Sequence, residues 1–216
     1  MKVIFLDVDG VLNSENDLLE LSKEETVNPG REIFDRPLAL LKELVDATNA
    51  KIVISSSWRV GCAKCGRESF YGKELYETLK KRLADFDMAA IDVTPVINKP
   101  TVKRGDEIRK WLNTTEYDIE SFVILDDESD MCEYTSTNLV QTSMKTGLQE
   151  EHVEIAKAIL NAVDVTQDDV IEALRKAWQK CPELRFGQLI VNVLGVDPFY
   201  VPDKGVIQKM KSFARE

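Results

Sequence analysis

Short apolar runs alternate along the chain with stretches of helical period, and several runs stop abruptly at polar residues. Val3-Ile4-Phe5-Leu6 predicts a first strand, which runs into Asp7-Val8-Asp9-Gly10. Residues 14–36 are polar and acidic, carry Asn28-Pro29-Gly30 as a turn, and read as a long loop or flap. From Pro37 to about Ala47, Leu38, Leu41, Leu44 and Val45 recur at helical spacing behind a proline suited to a helix start. Lys51-Ile52-Val53-Ile54 predicts a second strand, ending in Ser55-Ser56-Ser57-Trp58-Arg59. Leu75, Leu79 and Leu83 place a helix over 72–86, followed by a strand at Ala89–Val93 and a helix from Gly105 to Leu112 that ends at Asn113. Ser121–Leu125 is a strand that ends at Asp126-Asp127-Glu128, Leu139-Val140-Gln141 is a short last strand, and a helix follows near 149–161. Continuous apolar strands alternating with helices predict an α/β fold, a three-layer Rossmann-like parallel sheet covered on both faces.

The pattern changes near residue 164. Thr166-Gln167-Asp168-Asp169 reads as a helix start, with Leu174 and Trp178 continuing an apolar stripe and Pro182 beyond its end. Phe186–Leu194 predicts a second helix, Asp197-Pro198-Phe199-Tyr200 a turn, and 203–214 a third helix. The reading is an α/β domain over 1–162 and a small all-α appendage over 164–216, with no internal repeats.

The ends of the strands carry the chemistry. In an extended strand alternate side chains share a face, so Asp7 and Asp9 point together while Val8 points into the core. Gly10 lets the chain turn sharply. Paired carboxylates repel unless a cation or shared proton holds them, and a hard divalent ion such as Mg2+ suits their oxygens. In open parallel sheets ligands bind beyond the carboxyl ends of the strands. Asp7/Asp9, Ser55–Arg59 and Asp126–Glu128 all fall there, which predicts one site.

Composition narrows the classes. The chain has 216 residues, 44% hydrophobic and 31% charged, with net charge -10 and a pI of about 4.8. It offers no global basic field for nucleic acid. No apolar stretch approaches the ~20 residues of a membrane span, and the start lacks the pattern of a signal peptide. With four scattered cysteines, the expected location is the cytoplasm, with thiols reduced. Cys62-Ala63-Lys64-Cys65 reads as a surface or partly buried thiol pair rather than a zinc knuckle, because Cys132 and Cys181 are remote and no histidine accompanies them. The single histidine, His152, sits in an acidic stretch and reads as a surface helix residue, which leaves general-base work to a carboxylate.

In chain order the motifs are Asp-x-Asp-Gly, a strand-end Ser, Lys-Arg before a helix, and a strand-end Asp-Asp. This set resembles the haloacid dehalogenase (HAD) superfamily of phosphohydrolases over roughly residues 1–162. The finer wording is Ser55-Ser56-Ser57-Trp58-Arg59, Lys103-Arg104-Gly105-Asp106-Glu107-Ile108, Leu125-Asp126-Asp127-Glu128-Ser129-Asp130-Met131 and Thr146-Gly147-Leu148. It resembles the subgroup first noted in multidomain Swiss-army-knife RNA-repair proteins, whose members also occur alone.

The resemblance implies Mg2+-dependent phosphomonoester hydrolysis. Asp7 would be the nucleophile that forms an aspartyl-phosphate, and Asp9 the acid that protonates the leaving oxygen and then deprotonates water. Asp7, Asp9, Asp126, Asp127 and the Val8 carbonyl would hold the metal. Ser55 and Ser56 would bind phosphate, and Lys103 or Arg104 would neutralise it, a choice the sequence leaves open. Arg59 suits an anion by its fork of donors and equally suits a nearby carboxylate. Asp130 reads as a helix cap and Trp58 as a core side chain. The short insert at 14–36 leaves little room for a cap domain, so the site would be open to a small molecule, a nucleotide, a nucleic-acid end or a protein.

The appendage, with Leu184-Arg185-Phe186-Gly187-Gln188-Leu189-Ile190-Val191-Asn192 followed by Asp197-Pro198-Phe199-Tyr200, resembles a small uncharacterised bacterial and phage family, which implies no activity; in the binding-module reading it would be a docking device for a protein partner. The competing reading is a non-catalytic phosphate- and Mg2+-binding module of the same fold, which the presence of both acids opposes. A phospho-accepting signalling receiver carries its accepting Asp on the third strand, an order this chain lacks.

Overall fold

Four successive residues, Val3, Ile4, Phe5 and Leu6, are wholly buried, because their strand is enclosed from both sides and both faces. In a computed structural model of the protein, describing residues 1–21, 32–65, 70–161, 167–194, 201 and 203–215, β1 (Lys2–Leu6) is the middle strand of a five-stranded sheet. β1 pairs in parallel with β2 (Lys51–Ile54) and with β4 (Ser121–Asp126). β3 (Ala90–Val93) lies outside β2, and β5 (Leu139–Gln141) outside β4, giving the order β3-β2-β1-β4-β5. The expected Asn28–Gly30 and Asp197–Tyr200 turns, and the boundary between 162 and 164, lie outside the described residues.

Alternation along the strands divides their side chains between two cores. Ile4, Leu6, Ile52, Ile54, Val123 and Leu125 join α2 (Asp35–Thr48), α3 (Phe70–Ala84) and α5 (Glu150–Asn161). Val3, Phe5, Val53 and Ile124 meet Ile108 and Trp111 of α4 (Arg104–Thr114) on the other face. This is the three-layer α/β fold.

Two local expectations are corrected. Part of the loop expected at 14–36 is α1 (Glu15–Leu21). Its start is capped by Ser14, whose Oγ accepts the Asp17 N–H at 3.2 Å and donates to the Asp17 carboxylate at 2.6 Å. The α2 helix begins two residues before Pro37, which occupies its first turn, where a missing N–H costs no intrahelical bond.

His152 is also more enclosed than expected. Its Nδ1 accepts the Gln149 N–H at 3.0 Å, its side chain is 14% exposed, and burial lowers its pKa below the ordinary histidine value.

The chain continues in α6 (Gln167–Lys180), α7 (Phe186–Leu194) and α8 (Asp203–Arg215). Ala173, Ala177, Ile207 and Met210 form the centre of a separate small cluster among these helices, and α8 also packs against α5. Ile171, Phe186 and Val191 remain exposed. Among the described residues no helix is long and apolar enough to cross a membrane.

Candidate active site

The turn after β1 brings three distant segments together. The Asp7 N–H still follows the sheet register, donating to the Leu125 carbonyl at 3.0 Å. The chain then curls, and the Val8 carbonyl accepts the N–H groups of Val11 (3.1 Å), Leu12 (2.8 Å) and Asn13 (3.3 Å). Gly10 adopts φ +70° within this curl. The Thr142 hydroxyl, just beyond β5, donates to the Gly10 carbonyl at 2.6 Å and fastens the curl to the far edge of the sheet.

At the end of β4, Asp126 and Asp127 turn towards Asp7, and one carboxylate oxygen from each lies within 4.8 Å of the others. Asp7 and Asp126 are buried and Asp127 is half-buried. Arg104, the first residue of α4, stands against this cluster: Nη1 is 3.1 Å from Asp7 Oδ1 and Nε 3.4 Å from Asp126 Oδ2. The same Nη1 donates to the Ser55 carbonyl at 3.0 Å. The start of α4 is pressed onto the loop after β4. A Cβ on Gly105 would lie 2.4 Å from the Met131 carbonyl carbon, and Asp130 accepts the Arg104 N–H on its side chain and the Gly105 N–H on its carbonyl, both at 3.2 Å.

Charge dominates the pocket. Burial, and then the Asp7 charge, push Asp126 up to about 8 and raise Asp127 in the same direction. Burial opposes the Arg104 charge, but Asp7, Asp126 and Asp130 outweigh it and hold the guanidinium above its ordinary value. Among the described residues, buried Asp126 Oδ2 and Ser55 Oγ have no hydrogen-bond partner, the former meeting only the Arg104 Nε at ion-pair distance, 3.4 Å. Leaving such an atom unsatisfied costs about 1–3 kcal/mol, so the geometry suits a further ligand. Gathered carboxylate oxygens fit a hard divalent cation, and Asp7, Asp126 and Asp127 are the residues able to hold one.

The expected site residues separate into those that converge and those that do not. Asp7, Asp126, Asp127, Arg104 and Ser55 converge. Lys103 is exposed, with its N–H accepted by Asp106 at 3.1 Å, so Arg104 is the cation that meets the carboxylates. The Asp9 carboxylate stands outside the three-carboxylate group. The Val8 carbonyl is corrected as a ligand: three N–H donors already crowd its lone pairs. Ser56 Oγ accepts the Trp58 N–H at 3.2 Å and caps the short 3-10 turn at Ser57–Arg59, which leaves its own O–H to donate elsewhere.

Arg59 is corrected as a phosphate contact too. It is buried, and donates to the carbonyls of Thr94 (2.9 Å), Ser55 (2.5 Å) and Ser56 (2.6 Å) and to the Glu107 carboxylate. It braces the end of β2, because its fork finds backbone acceptors before any anion arrives. Asp130 is a cap, as expected. Cys62 is half-buried and Cys65 buried, and both pack with the larger core.

The sequence reading missed two polar roles. Trp58 is a core side chain, but its indole N–H also donates to Asp9 Oδ2 at 3.0 Å. Asn13 Nδ2 donates to Asp9 Oδ1 at 2.9 Å.

Residues 3–153 match the family described as the HAD domain in Swiss Army Knife RNA repair proteins. The chain belongs to this family. Comparison with curated proteins returns no match. Membership in the HAD family suggests a phosphohydrolase, and HAD domains are generally metal-dependent. This HAD domain presents its acidic cluster at the carboxyl ends of adjacent strands, where the fold opens to ligands.

Proposed function

We propose that the protein is a Mg2+-dependent phosphomonoester hydrolase that works through an aspartyl-phosphate on Asp7. The observation that carries this reading is the set of Asp7, Asp126 and Asp127 faced by Arg104, whose Nη1 also donates to the carbonyl of Ser55.

A divalent ion held by Asp7, Asp126 and Asp127 would supply charge compensation for an incoming phosphate. The Asp7 carboxylate attacks phosphorus. Arg104 offsets the charge on the phosphoryl oxygens, and the Ser55 hydroxyl donates to one of them. Asp9 gives its proton to the leaving oxygen and later takes one from the attacking water. The family description mentions RNA repair, which favours a nucleotide or nucleic-acid end as substrate. The net charge of -10 favours recognition confined to the terminal phosphate rather than a long electrostatic footprint.

The test is phosphate release with Mg2+ across sugar phosphates, nucleotides and 3′- and 5′-phosphorylated oligonucleotides, for the wild type and Asp7→Asn. Turnover abolished by Asp7→Asn supports the reading, and the best ester names the substrate class. Folded, Mg2+-loaded wild type that releases no phosphate from any of them overturns it.

A further inference from the structure

We propose that Trp58 is a positioning residue for proton transfer, its indole N–H acting with the Asn13 amide to hold the Asp9 carboxylate apart from the ion-binding cluster. The inference rests on the phosphohydrolase reading and assigns Trp58 and Asn13 the orientation of the Asp9 carboxylate.

A strand continuing through Asp9 would bring its carboxylate to the same face as Asp7. The curl at Val8 ends the strand first, and the Asp9 side chain meets two fixed donors, one on each oxygen. Both donors are built in. Trp58 is 2% exposed, and its backbone N–H donates to Ser56 Oγ. The carbonyls of Ser55 and Ser56 before it are braced by Arg59. Asn13 is 3% exposed and its Oδ1 accepts the Gly10 N–H at 3.1 Å, so the amide cannot swing away without releasing the turn.

The chemistry fits the arrangement. An indole N–H only donates, so Trp58 orients the carboxylate without competing for its proton. Each carboxylate oxygen has about two lone-pair directions, and one donor leaves the other free. In the first half-reaction the Asp7 oxygen bonds to phosphorus. The bond from phosphorus to the leaving oxygen breaks with its electron pair on that oxygen, and the proton on Asp9 moves there, leaving Asp9 a carboxylate. In the second half-reaction the water oxygen bonds to phosphorus. The Asp7–phosphorus bond breaks with its pair returning to Asp7, and the water proton passes to Asp9.

The test compares wild type, Trp58→Phe, Asp9→Asn and Asp7→Asn on an alkyl phosphate and on an aryl phosphate with an acidic leaving group. Protonation of the leaving oxygen matters for the alkyl ester far more than for the aryl ester. Trp58→Phe is expected to lower kcat on the alkyl ester by roughly 10- to 100-fold, to lower it much less on the aryl ester, and to leave KM and Mg2+ affinity unchanged. Equal losses on both esters, or no loss, overturn the positioning role and leave the phosphohydrolase reading standing. Wild type without Asp7-dependent turnover overturns the phosphohydrolase reading instead. The clamp is then decided by the 1H–15N indole resonance that Trp58→Phe removes. A shift of that resonance in Asp9→Asn supports the contact, and an unchanged resonance overturns it.

Discussion

A Cβ on Gly10 would stand 2.5 Å from the Cγ of Asp127. The curl after the central strand is therefore the wall against which the third carboxylate rests. Gly10→Ala meets this contact and a φ of +70° together. Left-handed backbone at a non-glycine residue costs about 1–3 kcal/mol, and relief of the contact moves Asp127 away from Asp7 and Asp126. The expected outcome is a stability loss of that order in denaturant unfolding, together with divalent-ion binding weakened by more than the stability loss explains, measured by calorimetric titration on the folded variant.

Arg104 bears on the ion and on the phosphate with opposite signs. Its guanidinium lies against Asp7 and Asp126, where it offsets their repulsion and competes with a bound cation. Arg104→Met should therefore bind Mg2+ several-fold more tightly than wild type. It should release phosphate on the order of 100-fold more slowly, the scale set by loss of one positioned transition-state contact. Arg104→Lys should recover part of the rate. Titration calorimetry and steady-state rates on the same preparations separate the two effects.

Arg59 is expected to fail as a protein stabiliser before it fails as a ligand. Its guanidinium and the Glu107 carboxylate are both largely buried and paired, with side chains 5% and 13% exposed. Removing one member of such a pair leaves a charge without compensation, at a cost of about 3–5 kcal/mol. Arg59→Met should lower the denaturant midpoint accordingly, and Arg59→Met with Glu107→Gln should be less damaged than the sum of the two singles. A phosphate ligand would behave oppositely, raising KM without loss of stability.

His152 makes a signed pH prediction because it is the chain's only histidine. Burial lowers its pKa, so the folded state takes up the proton later than the unfolded state as pH falls. Above the unfolded value of about 6.5 both states are neutral and the residue adds no pH dependence. Below it the unfolded state is protonated first, and stability declines until the pH reaches the lowered folded value. The Nδ1 acceptor for Gln149 is lost on protonation at that atom. Between about pH 7.5 and 5.5, a range that spans the unfolded value, the denaturant midpoint at saturating Mg2+ should fall more in wild type than in His152→Gln.

Much of this was legible in the sequence, and the residues show where legibility ended. β2 and β5, together with α7, match their expected bounds, because apolar continuity or helical period alone defines them. Asp126 and Asp127 could be placed because a strand end followed by acids has one direction to face. Asp9 was grouped with Asp7 by an alternation argument that assumed the strand persisted, whereas the backbone leaves it after Leu6, and the Val8 carbonyl entered through the family resemblance alone. Arg59 found Glu107, and Trp58 found Asp9, across 48 and 49 positions, distances at which no local pattern speaks. α1 was missed because its stability starts from a Ser14 cap, with little apolar period to announce it.

The strand order sets a sequence of events as well as a place. Asp7 follows directly on the strand made first and placed in the middle, yet its carboxylate partners arrive only with residues 126 and 127, and Thr142 secures the curl later still. The pocket is thus built almost wholly from non-local contacts, which form late and slowly in folding. A chain interrupted before β4 carries Asp7, the proposed nucleophile, without the Asp126 and Asp127 carboxylates that gather beside it. On the proposed function, divalent-ion binding would report closure of the central sheet from β1 to β4, and a chain truncated before β4 is expected to bind no ion and release no phosphate.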